Sequence, residues 1–156
     1  MSDRTPSPTQ TNGTPPASPG NEKIRQLVYV SQASHGLTSA DMADILVEAR
    51  TRNEVCNISG MLLMNNGQFM QCVEGPSGAV EELIDGIGRD ERHCFMSILL
   101  DHFIETRDFD CWLMGFKDLS SNKHFANNDD VMDSAFLSEM SHPSRAVALL
   151  SSFAKL

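Results

Sequence analysis

Nowhere in the 156 residues is there a run of some 18 apolar residues, which excludes a membrane-spanning helix. The N-terminus also lacks the basic-then-apolar order of a secretory signal, so the expected location is the cytoplasm. Cysteine is scarce: Cys56, Cys72, Cys94 and Cys111 form no CxxC pair, which argues against both a disulfide framework and a zinc site. Three of them stand in apolar runs, where a free thiol is expected to pack as a small hydrophobe. The five histidines, His35, His93, His102, His124 and His142, show no HxH or HxxxH spacing, and no metal is expected. Positive charge is in deficit, with 12 Lys and Arg against 21 Asp and Glu and a net charge of -9. That balance disfavours binding to nucleic acid or to an anionic membrane, and leaves a small molecule or another protein as the expected partner.

Proline is almost confined to one end. Five of the seven lie in the first 22 residues, where only Met1 and Ala17 are apolar. Such a segment cannot offset the entropy of ordering, and residues 1–22 are expected to be a disordered tail. From residue 24 onward the apolar pattern changes period several times. Residues 26–31 (QLVYVS) read as a strand with Leu27, Tyr29 and Ser31 on one face. Thr38 with Asp41 resembles a capping box, after which Met42, Ile45, Leu46 and Ala49 give a helical stripe that ends near Asn53. Residues 57–64 and 68–74 flank Asn65-Asn66-Gly67 and predict a hairpin. Gly75-Pro76 opens a second helix with Pro at its first position and Val80, Leu83, Ile84 and Ile87 as its stripe. Strands around 95–104 and 112–116 complete a β-α-β-β-α-β-β order, the ferredoxin-like arrangement of an α+β protein with one added strand and both helices on one sheet face.

The second face of that sheet is apolar as well, through Val28, Val30, Met61, Leu63, Met70 and Cys72. Two short stripes within 128–154, Met132, Ala135, Phe136 and then Ala146, Leu149, Leu150, Phe153, are the expected cover. The second of these opens at Pro143. Polar residues on apolar faces are the more informative signal, because an unpaired buried amide costs about 1 to 3 kcal/mol. Asn53 continues the buried stripe of the first helix, and Gln71 lies between Phe69 and Val73 on one strand face. Taken singly these have ordinary readings: Asn53 as a helix C-cap, Gln71 as a solvent-facing strand residue, Tyr29 as a buried strand tyrosine. Trp112 and Met114, alternating with Phe116, read as core, and Arg89, Asp90, Arg92 and His93 as a solvated helix exit.

The segments LVYVSQASHGLT, DILVEARTRN, ISGMLL, GQFMQCVEG, IGRDERH and FDCWLMGF, in order over about 95 residues, resemble the BLUF domain, the bacterial sensor of blue light using FAD. The resemblance implies a flavin between the two helices, FAD with FMN or riboflavin as alternatives. It implies that Asn53 bonds the polar edge of the ring and that Gln71 bridges the flavin and Tyr29. Ser31, Arg52, Asp90, Arg92 and His93 are implied as further cofactor contacts, and Trp112 and Met114 as modulators beside the ring. It implies a photoreceptor and no enzyme. The domain is expected to span 23–118, with 119–156 a helical cap and output element. A downstream protein is the expected partner, in trans, and a homo-oligomer the expected assembly. The competing readings are an acylphosphatase-like enzyme, which needs a Gly-rich loop ending in Arg where SQASHGLT stands, and a ligand-free interaction module, which leaves Asn53 and Gln71 without partners.

Overall fold

The computed structural model describes residues 23–120 and 144–156. Its elements are β1 (Ile24–Ala33), α1 (Ser39–Cys56), β2 (Ser59–Asn65), β3 (Gln68–Pro76), α2 (Ser77–Gly88), β4 (His93–Ile104), β5 (Gly115–Asp118) and α3 (Arg145–Phe153). The five strands form one sheet in the order β4-β1-β3-β2-β5, antiparallel except for the parallel β2–β5 pair. This is the ferredoxin-like sheet with β5 added beside β2.

Local chemistry explains most boundaries. The Thr38 hydroxyl accepts from the Asp41 amide while the Asp41 carboxylate accepts from the Thr38 amide, a complete capping box that opens α1. The helix runs one turn past Asn53 and ends at Asn57, which takes the left-handed conformation with φ 56°. The hairpin turn is two residues long: Asn66 and Gly67 both have positive φ, 49° and 79°, which suits the right-handed twist of the flanking strands. Pro76 ends β3 and stands at the N-cap of α2, so the helix starts at Ser77, one residue later than expected.

The two helices on one face bury Met42, Ala49, Val80, Leu83 and Ile84 against Leu27, Tyr29, Leu62, Phe69 and Val73. On the other face Ala146, Val147, Leu150 and Phe153 of α3 pack on Val28, Met61, Leu63, Met70 and Cys72, with Phe109 fully buried among them. The second stripe expected to cover the sheet does so, and it is capped by Ser144. The first stripe, around Met132 to Phe136, and Pro143 lie outside the described residues, as does the tail 1–22.

Two expectations fail. Residues 112–114 are not part of the last strand, because β5 starts only at Gly115 and the chain before it bends around the sheet end. Trp112 and Met114 therefore do not share a face: Met114 joins the core under the helices and Trp112 packs against the core under α3. Irregular backbone defeats a period-two reading, since the alternation of faces holds only for extended residues. Of the cysteines, Cys72 alone is buried, while Cys94 and Cys111 are exposed. Cys94 lies on β4, an edge strand with one neighbour, where an apolar run does not imply burial.

Close packing at Gly60 fixes how tightly β2 approaches β3. A Cβ there would lie 2.2 Å from the Cys72 carbonyl oxygen, a backbone atom that cannot swing away. Gly60→Ala is expected to lower stability by about 1 to 3 kcal/mol, measured as a reduced urea midpoint at an unchanged slope.

Candidate functional site

Tyr29 on β1 and Gln71 on β3 are directly opposed in register, on the face covered by α1 and α2. Their side chains meet: the Tyr29 hydroxyl donates to Gln71 Oε1. The amide end of Gln71 then donates to Met114 Sδ at 3.2 Å. A thioether is a weak acceptor, so a buried carboxamide is here satisfied well at one end and poorly at the other. Burial pushes the Tyr29 hydroxyl well above the usual phenol range; the Arg52 charge opposes this and the Asp90 charge adds to it. The hydroxyl therefore stays protonated and acts as a donor.

Asn53 is fully buried on α1, one turn after Ala49. Its Nδ2 donates to the Leu113 carbonyl at 2.5 Å, while its Oδ1 meets no partner. The C-cap is Asn57, so Asn53 is not the helix cap its position suggested. Among the described residues the only other buried side-chain atoms without a partner are Ser31 Oγ and His93 Nδ1. Ser31 lies two residues from Tyr29 on the same strand face, and the His93 ring is 6.4 Å from the Tyr29 ring. Three orphaned polar atoms on the helix-covered side of the sheet, each costing about 1 to 3 kcal/mol if left so, with His93 lining the space between α1 and α2, fit a ligand with a polar edge.

That space is a cleft. Ile45, Glu48, Ala49 and Arg52 of α1 form one wall, Ile87, Asp90, Arg92 and His93 the other, and Tyr29, Leu62, Phe69 and Gln71 the floor. Apolar side chains on both walls and the floor (Ile45, Ala49, Ile87, Leu62, Phe69), interspersed with hydrogen-bonding groups from Tyr29, Gln71 and the charged wall residues, suit a flat ring system with a polar edge, as a flavin has. Arg92 bridges the mouth, pairing with Asp90 at 2.7 Å and with Glu48 of α1 at 2.8 Å. The Arg92 guanidinium holds the Asp90 carboxyl below the usual carboxylate range.

Tyr29, Arg52, Gln71, Asp90, Arg92 and His93 thus line one cleft, with Ser31 on the strand face of its floor. Asn53 lies behind it, tied to residue 113, and Met114 reaches Gln71 from the same side. Trp112 is the one singled-out residue directed away, into the opposite core. Sequence reasoning missed Glu48, although its place four residues before Arg52 puts it on the same helix face. It also missed Arg50, whose Nε donates to the Met114 carbonyl at 3.0 Å.

Comparison with known proteins gives a consistent picture. The photoactivated adenylate cyclase subunit alpha of Euglena gracilis is 45% identical over 74 residues, 47% of this chain and 7% of that protein. The chain matches under a tenth of the length of such curated relatives. The dark-state structure of BlrB, a BLUF protein, is similar with a TM-score of 0.60 at 32% identity, over 62% of this chain and 74% of that one. BlrP1 of Klebsiella pneumoniae, with FMN and cyclic diGMP, is similar with a TM-score of 0.69 at 27% identity, over 85% of this chain and 34% of that one. The profile described as sensors of blue-light using FAD matches residues 24–115, from the start of β1 to the start of β5. That match takes in the cleft and more than half of the sequence, and the chain belongs to the BLUF family of blue-light flavin sensors.

Proposed function

We propose that this protein is a blue-light receptor that holds its flavin noncovalently between α1 and α2 and signals in trans to a protein partner by rearranging the hydrogen bonds of Tyr29 and Gln71. The observation that carries this reading is the buried chain from Tyr29 to Gln71 to Met114, with its weak terminal acceptor. When bound, the flavin supplies light absorption and, once excited, an oxidising ring. Everything else is done by this chain's own residues. Asn53, Ser31 and His93 offer unpaired polar atoms for the ring's edge, and Arg52 flanks it from α1. Tyr29 gives up an electron and its hydroxyl proton and takes both back. The Gln71 carboxamide can exchange its donor and acceptor ends at little steric cost, and the N–H···S bond it gives up is weak, so two arrangements lie close in energy.

Arg92, Asp90 and Glu48 would close the outer end, toward the ribityl chain. FAD is the flavin in the family's description, and FMN accompanies BlrP1. The C-terminal segment from residue 119 is the proposed output element, because α3 covers the sheet directly behind the cleft floor. Self-association is supported by β4, an edge strand on which Phe95, Ile98, Leu99 and Phe103 are all exposed.

Gln71→Leu should keep flavin bound and abolish the small red shift of the flavin band on blue illumination, read by difference absorption; a shift of normal size rules out Gln71 as the moving part. Tyr29→Phe, which keeps the ring and removes the proton, should bind flavin and lose the reversible photocycle, and a normal reversible shift would exclude Tyr29 as donor. Asn53→Ala should weaken flavin retention by about 1 to 3 kcal/mol in a titration followed by fluorescence quenching, and equal affinity would limit Asn53 to holding Leu113.

A further inference from the structure

On the sheet face away from the cleft, two carboxylates and a carboxamide are interlocked, all outside the site described above. Gln26 and Glu74 are fully buried. Glu74 Oε1 accepts from Gln26 Nε2 at 2.7 Å and from the Asp108 amide at 2.9 Å, and Oε2 accepts from the Phe109 amide at 3.0 Å. Gln26 Nε2 also donates to Asp108 Oδ2 at 2.6 Å. With both of its N–H groups engaged, Gln26 can only accept at Oε1, so His102 Nε2, 2.7 Å away, is the donor. Asp108 Oδ2 then accepts the Ser144 hydroxyl, whose oxygen accepts the Val147 amide at 3.1 Å and so caps α3.

The same stretch of chain reaches the cleft at its other end. Trp112 N donates to the Phe109 carbonyl at 3.0 Å, and Gly60 N donates to the Trp112 carbonyl at 2.9 Å. The Leu113 carbonyl is held by Asn53, the Met114 carbonyl by Arg50, and Met114 Sδ by Gln71. Residues 108–114 belong to neither a helix nor a strand, yet they are hydrogen-bonded at both ends and in the middle. We propose that Asp108 is a positioning residue, the latch that holds the capped end of α3 on the sheet, and that residues 108–114 are the strap through which the cleft's two amides act on that latch. The strap rests on the receptor reading above, since it presumes that Gln71 moves. The latch does not.

Hydrogen exchange on the flavin-bound full chain tests the two parts separately. Ser144→Asp keeps a good N-cap acceptor for α3 but cannot donate to Asp108, whereas Ser144→Thr keeps both roles. In the dark, amide protection across Ala148–Phe153 should fall about tenfold or more in Ser144→Asp and stay near wild type in Ser144→Thr, with flavin absorption unchanged in both. Wild-type protection in Ser144→Asp overturns the latch, because helix capping alone would then suffice, as does equal loss in both variants, because the loss would then not follow from the missing donor. For the strap, illumination should change α3 protection in the wild type and leave it unchanged in Asp108→Ala, while the red shift persists in both. A light-induced change that survives in Asp108→Ala, or a wild type that red-shifts without any change in α3, overturns the strap. A wild type with no red shift defeats the receptor reading instead, and the dark comparison of the Ser144 variants still decides the latch.

Discussion

The hydrogen bond between Tyr29 and Gln71 is the constraint around which the structure is arranged. Both side chains are buried, so neither can turn to water when its partner moves. Their meeting depends on an antiparallel register that places them opposite one another, and one residue of slip would send them to opposite faces. The two-residue Asn66-Gly67 turn fixes the register of β3 against β2, and Gly60 lets the two close against each other. The backbone geometry of three strands thus serves one pair of polar groups.

A buried polar pair is stable only where its remaining valences are met. Gln71 has a weak acceptor in Met114, while Asn53, Ser31 and His93 leave atoms unpaired on the same side of the sheet. A globular domain rarely tolerates such a concentration of unmet hydrogen bonds without a ligand to meet them. The opposite sheet face offers a contrast. There Glu74 accepts from Gln26 and from two backbone amides, and a buried carboxylate persists because donors replace its lost hydration. Burial raises its proton affinity, and the hydrogen bonds from Gln26, Asp108 and Phe109 partly restore its acidity. The few polar groups buried on one face of the sheet are thus unfinished, and those on the other closed.

Irregular chain joins the two. Residues 108–114 carry polar contacts to both faces and side chains to both cores, with Phe109 and Trp112 on the α3 side and Met114 under the helices. A regular strand could not distribute its contacts in this way, since every second side chain would return to the same face. The bend before β5 is what lets a short stretch touch the cleft, the sheet end and the cap of α3.

Much of this was legible in the residues. The capping box at Thr38, the Asn-Gly turn, the helical stripes and the apolar back face are local or periodic signals, and each appears where its spacing places it. The amides of Asn53 and Gln71 stood out as polar groups on buried faces, and the ordered motifs around them indicated the family. Tertiary structure alone decided the rest. The start of β5, and with it the separation of Trp112 from Met114, depends on pairing with β2, a strand some fifty residues earlier in the chain. The burial of Glu74 depends on amide donors from Asp108 and Phe109, and that of Gln26 on the Asp108 carboxylate as acceptor, which no period in the local sequence announces. The exposure of Cys94 depends on β4 having one neighbour instead of two. Sequence determines which way a side chain points along an extended or helical segment; what it meets there is set by long-range pairing, and a buried charge is possible only once its distant donors have arrived.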